Sequence, residues 1–171
     1  MSATASRATT RGVVFVHSTP AALCPHLTWA LEAALGRPVH LDWTPQPAGA
    51  KLVRAELSWS DEPGTGARLA SALRKCANVR FEVTEEPSPG LDGSRWSFTP
   101  SLGIHHTWTS AAGDAVVNED RLRAAFDAHR GDNAALGGAI DELLGAPWDR
   151  ELDPFRYAGD GAPVRWLHKV G

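Results

Sequence analysis

Apolar side chains recur along this chain with two different periods, and the alternation between them predicts its elements. Residues 12–18, GVVFVHS, form a short continuous apolar run, as a central strand covered on both faces requires. Thr19-Pro20 and Pro25 each offer a helix start, because proline suits the first helical turn and breaks an interior one. This predicts a short turn over 20–23 and a main helix from Pro25, with Leu27, Leu31, Ala34 and Leu35 at helical spacing and Gly36 as its stop. Strict alternation follows in two places. Val39, Leu41 and Trp43 oppose His40 and Asp42; after the loop Thr44–Gly49, Val53, Ala55, Leu57 and Trp59 oppose Arg54, Glu56 and Ser58. Pro63-Gly64-Thr65 opens a second helix with Leu69, Ala72, Leu73 and Cys76 on one stripe, and Val79, Phe81 and Val83 alternate with Arg80, Glu82 and Thr84 in a final strand.

The order is β-α-β-β-α-β, that of a ferredoxin-like unit, in which the first strand lies between the third and fourth. Arg54, Glu56, Arg80 and Glu82 would then share the sheet face turned away from both helices. A turn-rich linker, Glu85–Gly90, leads into a hairpin over 94–99 and 103–109, a short strand at 115–117 and two helices. Asn118 caps the first of these, with Glu119 and Asp120 in its positive first turn; the second carries Leu136, Ile140, Leu143 and Leu144 and stops at Gly145. A Trp-, Pro- and Gly-rich tail from Ala146 closes the chain, with a strand expected at 164–170. The fold class expected is α+β, the tail packing on the ferredoxin-like unit. Residues 1–11 read as a disordered lead and 12–171 as a single domain, whose halves 12–86 and 91–171 are each too small for a comfortable core and share one. Trp96, Trp108, Trp148 and Trp166 are expected where the halves meet, since each aromatic buries roughly 150–250 Å².

Composition narrows the function classes more than it selects one. Seventeen basic and 20 acidic side chains leave a net charge of −3 with no Lys/Arg cluster, which speaks against nucleic acid as a partner. No apolar stretch approaches the roughly 20 residues of a membrane span, and the start of the chain lacks the apolar run of a signal peptide, so a cytoplasmic protein is expected. Cys24 and Cys76 fall in apolar helical patterns, as reduced packed thiols do. Arg outnumbers Lys 14 to three, a bias of GC-rich genomes.

Candidate chemistry is sparse. His17 and Ser18 close the first strand and Cys24 and His26 follow within two turns, where a nucleophile and base, or a small ligand, find a natural place. The competing reading is ordinary helix-entry chemistry, since no G-x-S-x-G elbow surrounds Ser18. Cys24, His26, His105 and His106 are soft or borderline ligands without zinc-site spacing, and adjacent histidines on a strand face opposite ways; no metal and no cofactor is expected. Asp149, Glu151 and Asp153 beside Arg150 and Arg156 form either a cation or basic-partner site or a local salt-bridge network. Phe155, Arg156, Tyr157, Arg165, Trp166 and His168 have the composition of a protein interface, with packing onto the chain's own core as the alternative.

Four strings, TRGVVFVHS (10–18), LDWTPQP (41–47), RFEVTEEPSPG (80–90) and GAPVRWLH (161–168), resemble an actinobacterial family, domain of unknown function 3145, from about Thr9 to the C-terminus. The resemblance implies an actinobacterial, cytoplasmic protein with no assigned activity. Genes similar to this one often stand beside fatty-acid synthesis genes, which implies a fatty-acid synthesis component as protein partner. The expectation is an accessory binding protein rather than an enzyme. The alternative is a small enzyme, or an acyl or small-ligand binder, with a pocket near His17, Ser18, Cys24 and His26; a third, a small-molecule sensor, rests on fold analogy.

Overall fold

In the computed structural model of the chain, the structure describes residues 8–159. The first apolar run lies inside a longer strand, β1 (Thr10–Pro20), and a single 3-10 turn over Ala21–Leu23 leads into α1 (Cys24–Leu35), which ends at Gly36 with φ +66°. After the two-residue β2 (Thr44–Pro45) come β3 (Leu52–Asp61), α2 (Thr65–Leu73) and β4 (Arg80–Glu85). The second half adds β5 (Gly93–Thr99), β6 (Gly103–Thr109), β7 (Ala115–Val116), α3 (Glu119–Ala128), α4 (Asn133–Leu144) and α5 (Ala146–Arg156).

All seven strands join one antiparallel sheet in the order β2-β3-β1-β4-β5-β6-β7, so an α+β architecture is observed. The most apolar strand, β1, is flanked by β3 and β4. On one face, α1 and α2 pack Leu27, Leu31, Leu69 and Leu73 against Val14, Val16, Phe81 and Val83, all essentially inaccessible to water. Trp43, Trp59 and Phe81 belong to this same cluster, so their alternation does mark one face. Phe81 stacks on Phe98 of β5, with ring centroids 5.2 Å apart, and this carries the core into the second half. A Cβ at Gly12 would lie 1.8 Å from the Thr84 carbonyl oxygen, which makes glycine obligatory where β1 crosses β4. The Glu85 carboxylate accepts from Gly64 N and Gly66 N, both at 2.7 Å, placing negative charge on the N-terminus of α2.

Four expectations change. Residues 39–43 bury Leu41 and leave His40 exposed, yet only Thr44 and Pro45 reach a ladder with β3, so the alternation records burial without strand pairing. Thr10 and Arg11, read as part of the lead, already belong to β1: Thr10 pairs with Asp61 and is buried, and Arg11 pairs with Ser60. The tail begins with an α-helix: Gly145 ends α4 in the left-handed region, Pro147 occupies the first turn of α5, and Pro154 falls only in its last turn. Trp148 is buried and Trp96 packs beside α2, but Trp108 is 48% exposed because α2 does not extend over β6. Trp166 and the strand expected at 164–170 lie outside the described residues.

Candidate functional site

The sheet face opposite α1 and α2 is polar, and α5 lies across it. Along β4, Arg80, Glu82 and Thr84 alternate with the core residues Phe81 and Val83, so they project to this side. Strand β1 is bulged here. Val16 faces Phe81 but the next pairing is Ser18 with Arg80, leaving His17 as an extra residue. The bulge turns two consecutive side chains toward the same neighbouring row: His17 Nε2 lies 2.7 Å from Glu82 Oε2, and Arg80 Nη1 donates to Ser18 Oγ at 3.4 Å.

Glu82 is wholly buried and sits at the centre of an ionic network. Arg156 of α5 donates to both of its oxygens, from Nε at 2.8 Å and from Nη2 at 2.5 Å. Arg95 Nε donates at 2.9 Å and Ser97 Oγ at 3.3 Å. Asp149 then bridges Arg95 and Arg156, and Asp153 takes Arg156 Nη1 at 2.7 Å. Burial alone would push the Glu82 carboxyl up, but Arg95, His17 and Arg156 together hold it well below the usual carboxylate range. Burial opposes the charge of Arg156 too, and Glu82 with Asp149 and Asp153 raises its pKa nonetheless. Glu82 therefore stays an anion, and the imidazole of His17 is fixed against it while stacking 5.9 Å from Phe15.

Beside this network a cleft of about 490 Å³ opens between β1, β3, the 42–45 segment and the end of α5. Phe15, His17, Arg54, Glu56 and Phe155 line it, with Asp42 and Thr44 at its rim. The buried Gln46 side chain stitches its walls, donating to the carbonyls of His17 (2.6 Å) and Phe155 (3.1 Å) and accepting from Ala48 N. Arg54 Nη1 holds the Ala158 carbonyl at 2.9 Å. A second cleft, of about 550 Å³, runs over the far side of the same face, from Val13, Phe15, Glu56 and Ser58 across Thr84 and Arg95 to Thr107, Thr109 and Leu144.

Of the four residues expected around a pocket, His17 lines the first cleft and Ser18 is buried behind it against Arg80. Cys24 and His26 stand on the first turn of α1 and line neither cleft; burial pushes the Cys24 thiol up, away from thiolate, and His26 meets the exposed Trp29 edge-on. Phe155 lines the first cleft beneath Arg80, Tyr157 is exposed, and Arg156 is turned inward, where it secures α5 to the sheet. Arg165, Trp166 and His168 lie outside the described residues. His105 and His106 face opposite sides, His105 stacking on Trp148 and His106 on Trp96. Asp149 and Asp153 do form salt bridges with Arg156, but the partners that bury the group, Glu82 and Arg95, come from the sheet. The sequence signal for that link is the spacing of Trp148, Leu152 and Arg156, one stripe four residues apart on a helix.

An antiparallel sheet covered by two helices on one face and crossed by one on the other, with clefts beside a buried ion network, defines an α+β protein with a site on its sheet face. The chain belongs to the family described as "protein of unknown function (DUF3145)", whose model matches residues 13–169. No curated protein and no solved structure matches it.

Proposed function

We propose that this chain is a non-catalytic accessory protein that captures a partner protein on the open sheet face beside α5. What supports the reading is one observation: the two clefts share Phe15 and Glu56, so they adjoin on the same sheet face as a two-part trough. The strand order β2-β3-β1-β4 supports a ferredoxin-like unit as its scaffold, extended by β5–β7. The network around Glu82 supports a role for the α5 face beyond stability, since a buried ion group of this kind is often no more stabilising than an apolar one. We take the host to be actinobacterial, the compartment cytoplasmic and the partner a component of fatty-acid synthesis, as the family resemblance implies.

A photo-crosslinking amino acid at Ser58 or Thr109, within the trough, should give a discrete adduct with a fatty-acid synthesis component in the living host. The same probe at Ser71, exposed on α2, should not. Equal adducts at both places, or none in the trough, refute the proposal.

A second reading, a small-ligand binder, is favoured by the cleft at His17, where an imidazole fixed by a buried carboxylate faces Phe15 and Phe155. Native mass spectrometry of protein purified from its host should then show a bound small molecule that Thr44→Trp, at the cleft mouth, removes.

A further inference from the structure

Helices α3 and α4 are held less firmly than the rest of the molecule. Neither buries a single residue, whereas α1 buries Leu27, Leu31 and Leu35 and α5 buries Trp148, Leu152 and Arg156. The pair hangs between two slight attachments. One is the two-residue β7, exposed at both positions; the other is Gly145, the left-handed residue that ends α4 and opens α5. Elements without buried apolar side chains open at low free energy, independently of the core. Leu144, the last residue of α4, lines the second cleft, so a movement of this pair moves a wall of the trough.

Two adjacent histidines of β6 stand beside that second attachment. His105 is buried and stacks on Trp148, with its Nε2 2.8 Å from Thr107 Oγ1. A Cβ at Gly145 would lie 2.9 Å from His105 Cδ2 and 3.0 Å from Nε2, so the imidazole rests directly on the junction between α4 and α5. His106 is half-buried on the other face, stacked on Trp96 and edge-on to Trp108, with its Nε2 3.1 Å from Ser94 Oγ.

The charged groups that act on His105 are Arg121 of α3, Arg95 of β5 and Asp149 of α5, with His106 beside it; Arg121 acts on His106 as well. Arg95 and Asp149 pair with each other, and Arg95 also with Glu82. Arg121 is exposed and has no hydrogen-bond or ion-pair partner among the described residues. Burial first, then Arg121, holds both imidazoles below their ordinary 6.5 while the helix pair is docked, with Asp149 opposing them at His105. Release returns the rings to water, so each proton taken up favours the released state.

We infer that the α3–α4 pair is an acid-released lid on the second cleft: protonation of His105 and His106 beside Arg121 frees it at Gly145, while α5 stays on the sheet. Helix α5 stays because Arg156 grips Glu82 without either of these histidines. Control of entry to the trough rests on the reading of this face as a binding surface; the motion does not. Hydrogen exchange reads the motion and cross-linking reads the capture, so each can fail alone.

The test is hydrogen exchange of the full chain by mass spectrometry at pH 7.5 and pH 5.5, with labelling times scaled to the intrinsic rate at each pH. At short labelling times only local opening registers. Peptides of α3 and α4 should then exchange at least about tenfold faster at pH 5.5, while those of α1, α2 and α5 stay unexchanged at both. Arg121→Gln, at an exposed position, should move the acceleration to lower pH, and Arg121→Lys should keep it. His105→Phe should remove most of it. Unchanged exchange in α3 and α4, acceleration shared by α1, α2 and α5, or a response that Arg121→Gln leaves in place overturns the inference.

Discussion

Arg156 of α5 grips Glu82 of β4 through both carboxylate oxygens, across 74 residues of sequence and at essentially zero exposure. Removing one partner strands the other's charge in the interior, so Arg156→Met should cost about 3–5 kcal/mol. In a chain of this size that lowers Tm by roughly 6–20 °C, read by calorimetry. Arg123→Met, which breaks an exposed i,i+4 pair with Glu119, should shift Tm by only about 1–2 °C.

Acid should unfold the protein partly through the same carboxylate. Glu82 is held below its ordinary value of 4.5, so its contribution is complete above that pH. It drains away as pH falls from there toward the folded value. Denaturant titrations at pH 6 and pH 3 should show a loss of stability that is smaller in Glu82→Gln. That variant starts from a lower stability at pH 6.

A second loss belongs nearer neutrality. Burial first, and the Arg121 charge next, hold the pKa of both His105 and His106 below the ordinary 6.5. The unfolded chain therefore binds these protons more readily, and stability falls as pH drops through about 6.5. His105→Phe, which keeps the stack on Trp148 without the titration, should flatten the slope between pH 7.5 and 5.5.

Gln46 tests how α5 is attached. Gln46→Leu leaves the His17 and Phe155 carbonyls and the Ala48 amide without its bonds, at about 1–3 kcal/mol for each group kept from water. Hydrogen exchange should accelerate in α5 and in residues 15–19, while α1 and α2 keep their protection.

Gly12→Ala should be more damaging than an ordinary surface change, because the new methyl collides with the Thr84 carbonyl and the Trp59 ring. About 1–3 kcal/mol or more is expected, measured as a lower denaturant midpoint at unchanged m-value.

Much of the fold was legible because burial and periodicity coincide in it. Leu27 and Leu31, Leu69 and Leu73, and Phe81 and Val83 each recur at the spacing of the element that buries them. Residues 39–43 misled because the same alternation arises when an extended segment lays Leu41 on a core without pairing. Helix α5 was hidden by Pro147 and Pro154, which read as breakers although both sit in terminal turns. The site was the least legible part. A bulge is a backbone event with no side-chain signature at His17 or Ser18, and nothing local to Glu82 shows that a helix from the far end of the chain will cover it.

That covering helix also imposes an order on biosynthesis. When Glu82 leaves the ribosome, the strand that carries it has no cation from α5 to meet, and the sheet face must stay wet until Arg156, 74 residues later in the chain, has emerged as well. Nascent chains halted before that point would display the Phe15 ring and a Glu82 carboxylate met by Arg95 without Arg156, and closure of this face waits for α5 to emerge.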